Sequence, residues 1–320
     1  MIEKRKVVLV GTGFVGMSMA YSIVNQGIGV NELVLIDVLK DKAEGEAMDL
    51  SDGLPCSPSH MTIKAGEYSE CKDADIVVIT AGLNQKPGQT RLELSEANAK
   101  IMKEIAEQIV ASGFNGIFLV ASNPVDIMTK VVQEVSKFPT NKVIGSGTAL
   151  DTSRLRYQIG KYLDVSSKNI HAYVMGEHGD SSFVAWSHAF VGCKKLTKLY
   201  KDKGMGMDYL EGIHKEVVNA AYEIIERKKA TYYGIGVALT RLIHAILENE
   251  NAILPVSTYQ KGEYGHKDVY IGTPAVINRH GVRELLEMNL PEEEQQKFDK
   301  SAILLKEIMQ NEIVPILEEK

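Results

Sequence analysis

Several short clusters in this sequence carry side chains suited to acid–base chemistry and to charge recognition. His178 stands in VMGEHGDSS, between Gly176 and Gly179, at the end of an apolar run. Imidazole is the side chain whose proton affinity suits transfer near neutrality. The flanking glycines suit a backbone that something approaches closely. In LDTSR, Asp151 and Arg154 are three positions apart, so on a helix they share a face. That spacing fits a surface ion pair. It equally fits two separate roles: a carboxylate that orients a histidine and stabilises its imidazolium, and a guanidinium that clamps a carboxylate through two parallel hydrogen bonds. Asn123 in SNPVD follows the run IFLVA, and Pro124 ends that strand. The asparagine is thus placed at a carboxyl strand end, where open α/β sheets bind ligands, although a turn asparagine before proline has the same appearance.

A second constellation points to a dinucleotide. VVLVGTGFVGMS contains Gly11-x-Gly13-x-x-Gly16, following a strand pattern and opening a helix pattern. In that context the first glycine makes the tight turn, the second admits a pyrophosphate and the third lets helix pack on strand. The phosphates then lie at the positive helix N-terminus. Asp37 comes 21 positions after Gly16, at the end of the next strand. Its carboxylate is placed to bind a ribose 2′-hydroxyl and to repel a 2′-phosphate, which favours NAD over NADP. The polar stretch GLNQKPGQTR, between the strand at 76–80 and the next helix, is longer than the ~2–6 residues usual for such a loop. A long loop at a carboxyl strand end suits a lid or a binding loop.

These groups need elements to hold them. Lys6–Val10, Leu33–Asp37, Ile76–Thr80, Ile117–Ala121 and Val143–Gly145 read as strands. Phe14–Gln26, Asp41–Leu50, Ala97–Ala111 and Ile127–Val135 read as helices. Buried runs alternating with helices imply a parallel sheet of βαβ units. Beyond residue 150 the texture becomes α+β. LDTSRLRYQIGKYL, MDYLEGIHKEVVNAAYEIIERKK and YGIGVALTRLIHAILEN read as helices, NIHAYVM as a strand, residues 252–278 as a strand meander, and the tail from Pro291 as a charged helix. The expectation is an α/β protein: a Rossmann-type doubly wound parallel sheet over 1–147 and a second, α+β substrate domain over 148–320.

Composition narrows the function class. The chain has 320 residues, 44 % of them hydrophobic, and a net charge of −6. No basic cluster interleaves with aromatics, which argues against nucleic acid, and the acidic balance argues against an anionic membrane surface. Cys56, Cys71 and Cys193 show neither metal spacing nor an even disulfide framework, so no metal is expected and a reducing, cytoplasmic setting is. The N-terminal apolar run has the outline of a signal peptide, but Gly11, Gly13 and Gly16 interrupt it at motif spacing.

Taken together and in order, the glycine motif, GLNQKPGQTR, SNPVD, LDTSR and GEHGD resemble the lactate/malate dehydrogenase family over essentially the whole chain, most of all its bacterial L-lactate dehydrogenases. The resemblance implies NAD as cofactor, pyruvate and L-lactate as substrates, and a homotetramer. It implies that His178 exchanges a proton with the ketone, Asp151 orients it, Arg154 binds the substrate carboxylate and Arg91 polarises the carbonyl from a mobile loop. Asn123 would hydrogen-bond near the carbonyl and nicotinamide, and Thr231 would line the pocket. Phe14, Val15 and Gly82 would join Gly11, Gly13, Gly16, Asp37 and Asn123 around the cofactor. Gln85 stands where malate-specific members carry an arginine; a neutral side chain there leaves oxaloacetate's second carboxylate unpaired. Arg156 and His171 match positions that bind fructose 1,6-bisphosphate across a subunit interface in responsive bacterial members. Gln89 and Ala97 depart from the family pattern, as does the lack of a proline after the histidine segment.

Overall fold

The computed structural model of this protein describes residues 5–83 and 91–318. Its first half is a parallel sheet of six strands: β1 (Lys6–Val10), β2 (Glu32–Ile36), β3 (Thr62–Ala65), β4 (Ile76–Ile79), β5 (Ile117–Val120) and β6 (Val143–Gly145). They lie in the order β6-β5-β4-β1-β2-β3. Every residue of β1, β4 and β5 is buried, because helices cover both faces; this is why these strands read as unbroken apolar runs. The helices of this half are α1 (Phe14–Gln26), α2 (Lys40–Asp52), α3 (Arg91–Ala111) and α4 (Val125–Ser136), with α5 (Ala149–Leu163) following β6. β1 pairs with β2 on one side and β4 on the other. The strand order reverses there, which opens a crevice at their carboxyl ends.

The elements differ from the sequence expectation at a few points. β2 stops at Ile36 rather than Asp37, because the Asp37 carboxylate turns to accept hydrogen bonds from Thr12 and Leu39. β4 and β5 each end one residue earlier than expected. β3 went unforeseen: it is an edge strand with one buried residue among four, so it lacks the apolar run that marks its neighbours. α3 starts at Arg91, six residues before the expected Ala97. NIHAYVM is two short strands, since Ile170–His171 pairs with Phe190–Val191 while Val174–Met175 pairs with Phe183–Val184.

The second half adds an antiparallel meander, Ala252–Lys261, Lys267–Asn278 and Gly281–Leu285, to the same sheet. Ser257 pairs with Gly145 of β6, giving a nine-stranded mixed sheet. The approach there is close: a Cβ on Gly145 would lie 2.4 Å from the Thr129 hydroxyl and 2.7 Å from Ser257 Cβ. Helices Met207–Lys228 and Tyr233–Leu247 follow the short-strand region. The second of these lies against α1, where a Cβ on Gly236 would sit 2.7 Å from the Ser18 backbone. Among the described residues no helix is long and apolar enough to cross a membrane.

Candidate active site

Asp151 and Arg154 fall on the first turns of α5, and His178 lies just past Val174–Met175. Thr148 and Thr152, one on either side of Asp151, fasten these two elements together. The Thr148 hydroxyl donates to the Val174 carbonyl at 2.7 Å, and the Val174 amide donates to the Thr152 hydroxyl at 3.0 Å. With helix and strand so fixed, His178 Nδ1 stands 2.6 Å from Asp151 Oδ2. The other oxygen, Oδ1, accepts from Arg154 Nη1 at 3.1 Å. One carboxylate therefore meets both cationic partners, and the i,i+3 pair seen in the sequence is part of a three-residue cluster.

The backbone that carries His178 is held from several directions. Gly176 exchanges two hydrogen bonds with Gly272, both 3.0 Å. The Glu177 amide donates to the Ser301 hydroxyl at 2.6 Å and the His178 amide to Asp126 Oδ2 at 2.8 Å. Gly176 has φ +93, a conformation that glycine adopts without the Cβ clash of other residues. The segment is thus a bracket, and the imidazole remains 29 % exposed at its mouth.

Electrostatics set the protonation states. The Asp151 charge, acting against desolvation by burial, pushes the His178 pKa up to about 9; Asp126 adds to this and Arg154 opposes it. Burial alone would raise Asp151, but the charges and hydrogen bonds of His178 and Arg154 outweigh it and hold the carboxyl below its ordinary range. At neutral pH the cluster holds an anion flanked by an imidazolium and a guanidinium. With Nδ1 engaged by Asp151, Nε2 is the nitrogen left to exchange a proton with a ligand.

The glycine motif forms the cradle its spacing suggests. A Cβ on Gly11, whose φ is +101, would lie 2.6 Å from the Ala81 amide, and one on Gly16 would lie 2.2 Å from the Gly11 carbonyl. A Cβ on Gly13 would meet nothing within 4 Å. The outer two glycines answer to packing and the middle one faces open space. Gly13 caps α1 without a side-chain hydrogen bond, which leaves first-turn amides for an anion. Asp37 accepts the Thr12 amide at 2.7 Å, the Thr12 hydroxyl at 2.8 Å and the Leu39 amide at 3.0 Å. Burial would raise it; these hydrogen bonds and the Lys42 charge bring its pKa below the ordinary value. A pyrophosphate at the helix and a ribose diol at an ionised carboxylate fit this arrangement.

The remaining expected positions divide. Asn123 lies beyond β5 with its side chain exposed, at a cis Asn123–Pro124 bond, and its carbonyl accepts from the Asn98 amide at 2.9 Å. Gly82, also exposed, follows β4. Val15 packs against the core, and Phe14 is exposed with its ring stacked on Tyr232 at 5.1 Å. That contact brings the residue after half-buried Thr231 onto the head of α1. Arg156 donates from Nε to the Ala172 carbonyl at 3.1 Å and lies over the Tyr173 ring, away from Asp151; His171 is exposed on the neighbouring strand. Gln85, Pro87, Gly88 and Gln89 lie outside the described residues, as does the side chain of Arg91. Sequence reasoning missed Asn98, Asp126, Thr148, Thr152 and Ser301. Of these Asp126 and Thr152 stood inside quoted motifs, SNPVD and LDTSR.

Residues 5–145 match the model of the lactate/malate dehydrogenase NAD binding domain, and residues 148–314 that of the lactate/malate dehydrogenase alpha/beta C-terminal domain. The chain is 57 % identical to an L-lactate dehydrogenase 2 of Bacillus cereus over 305 residues, covering 95 % of this chain and 97 % of that one. It is 52 % identical to an L-lactate dehydrogenase 2 of Lactococcus lactis over 311 residues, 97 % of this chain and 99 % of the relative. Among solved structures, the ligand-bound minor L-lactate dehydrogenase of Enterococcus mundtii superposes with a TM-score of 0.94 at 50 % identity, covering 96 % of this chain and 98 % of the other.

Proposed function

The chain belongs to the lactate/malate dehydrogenase family, and we propose that it is an NAD-dependent L-lactate dehydrogenase interconverting pyruvate and L-lactate. The observation that carries this reading is the Asp151 carboxylate shared between His178 and Arg154. Arg154 retains further N–H donors after Nη1 engages Asp151, enough to take a substrate carboxylate in parallel bonds. That grip turns the keto carbon's oxygen toward Nε2 of His178. In the reducing direction the Nε2–H proton passes to this oxygen. Asp151 holds the ring by Nδ1 throughout, so the imidazole that remains is already in the tautomer able to take the proton back. The bound dinucleotide supplies the hydride in reduction and accepts it in oxidation. Arg91 would add its charge at the carbonyl, and closure of its loop would exclude water and strengthen that interaction. Asn123 and Thr231 would complete the walls.

Specificity for pyruvate rests in this reading on Gln85, whose neutral amide gives oxaloacetate's distal carboxylate no partner. The measurement is NADH oxidation with pyruvate and with oxaloacetate, in the parent and in Gln85→Arg. Preference for pyruvate that passes to oxaloacetate in the variant is the expected result. An unchanged ratio removes Gln85 from the substrate's side, and a parent that prefers oxaloacetate makes the chain a malate dehydrogenase.

Regulation by fructose 1,6-bisphosphate is part of the proposal, with Arg156 and His171 as its phosphate ligands. The support is geometric: Arg156 engages the Ala172 carbonyl, next to His171, while Arg154 engages Asp151. A cytoplasmic homotetramer serving pyruvate fermentation to lactate is the setting in which such a site would act.

A further inference from the structure

Asp126 sits in the first turn of α4, three residues after Asn123, and is 2 % exposed. Its Oδ2 accepts the His178 amide at 2.8 Å and its Oδ1 the Ser257 hydroxyl at 2.5 Å. Three separate segments meet at this side chain: the head of α4, the histidine bracket, and the strand that joins β6 at Ser257. A buried charge is costly unless it is paired. An uncharged asparagine could accept the same amide and bond the same hydroxyl, so hydrogen bonding alone does not account for a carboxylate here. The proton-transfer scheme above uses Asp151 and leaves Asp126 unassigned.

We propose that Asp126 is a positioning residue for His178, tying the histidine's backbone to α4 and to the 252–261 strand and setting its negative charge within Coulomb reach of the imidazolium. This rests on reading His178 as the proton carrier. The groups acting on Asp126 are the Ser257 hydroxyl on the meander, the His178 amide and imidazole, and the Glu177 carboxylate beside it. Burial pushes its pKa up to about 6 against the two hydrogen bonds and the imidazole. Asp126 is therefore ionised through the neutral and mildly alkaline range in which His178 is protonated. Two carboxylates hold one imidazolium: Asp151 orients the ring and Asp126 fixes the chain that carries it.

The test uses Asp126→Asn, which keeps size and hydrogen bonds and removes the charge, and Asp126→Ala, which removes both. The His178 titration is followed by NMR on histidine-labelled protein without substrate, and pyruvate reduction is followed against pH. Asp126→Asn should lower the His178 midpoint by on the order of one pH unit, for a single charge in an effective dielectric of about 20. The alkaline limb of the rate profile should move with it. In Asp126→Ala, kcat should fall roughly 10- to 100-fold with a smaller change in pyruvate KM, since a small misplacement of a reacting group costs rate. An unmoved midpoint in Asp126→Asn overturns the electrostatic role, and a full kcat in Asp126→Ala overturns the positional one. If Asp126→Asn does not fold, Ser257→Ala replaces it. Loss of the hydroxyl cuts the tie between Asp126 and the 252–261 strand, so kcat should fall with a smaller change in pyruvate KM, and an unchanged kcat defeats the proposal. The titration is read without substrate, so it judges Asp126 even if pyruvate proves not to be reduced, an outcome that would count against the activity alone.

Discussion

Nδ1 of His178 and Oδ2 of Asp151 stand 2.6 Å apart, at the short end of charge-assisted hydrogen bonds. The pairing fixes the tautomer as well as the charge, since the proton on Nδ1 faces Asp151 in both ionisation states. With His178 as the proposed proton carrier, reduction needs the imidazolium and oxidation needs the neutral ring. Pyruvate reduction should therefore persist up to about pH 9 and decline above it, while lactate oxidation should rise through the same range.

Asp151→Asn removes the main cause of that elevated pKa. The alkaline limb of pyruvate reduction should move to lower pH, and kcat should drop by about two orders of magnitude or more. Stability provides a second readout. The folded-state pKa of His178 exceeds its ordinary 6.5, so its contribution is full below 6.5 and is lost as pH rises through about 9. Thermal unfolding of the parent should fall more steeply than that of Asp151→Asn across this window. Parallel melting curves would show that the pair contributes nothing to folding.

Arg154 has two effects with opposite consequences. On the proposed reading it binds the substrate carboxylate, and its charge opposes protonation of His178. Arg154→Gln should reduce kcat/KM for pyruvate roughly 100- to 1,000-fold, the scale for truncating one partner of a buried charged pair. It should also move the His178 midpoint upward. A lowered efficiency with a fixed midpoint would confine Arg154 to substrate binding.

On the proposed reading Asp37 combines cofactor selection with loop support. Asp37→Ser should narrow the preference for NADH over NADPH by removing the charge that repels a 2′-phosphate. It should also weaken NADH binding, because the Thr12 and Leu39 amides lose their acceptor. Steady-state kinetics with both cofactors separate the two effects. Equal use of NADH and NADPH by the parent would already contradict the assignment.

Fructose 1,6-bisphosphate should lower the apparent pyruvate KM and favour the tetramer. Pyruvate saturation with and without effector, in phosphate-free buffer, measures this in the parent and in Arg156→Gln. Superimposed parental curves would remove the regulatory reading. By linkage, pyruvate should tighten effector binding by the same factor.

The parts of this site legible in the sequence are those whose partners lie nearby. Gly11, Gly13 and Gly16 declare themselves by spacing within one turn, and Asp151 and Arg154 by sharing a helix face. Asp37 was legible as a strand-end acid, though not as the acceptor that ends β2 at Ile36. Asp126 and Ser257 are 131 positions apart, and Glu177 and Ser301 are 124 apart. No local pattern announces such contacts; only the fold creates them. β3 escaped for a different reason, since an edge strand with one buried side chain needs no apolar run. The 252–278 meander was legible as strands, but its junction with β6 depends on the absence of a side chain at Gly145, which sequence periodicity does not encode.

That junction has a consequence for dissecting the protein. A polypeptide cut between residues 147 and 148 would leave β6 as a bare edge on one fragment and the Ala252–Lys261 strand as a bare edge on the other. Each fragment would carry an unpaired row of backbone donors and acceptors, the surface on which chains add to one another. Expressed separately, the pieces should self-associate; expressed together, they should find each other, because the two edges are complementary along a seam that closes at Gly145.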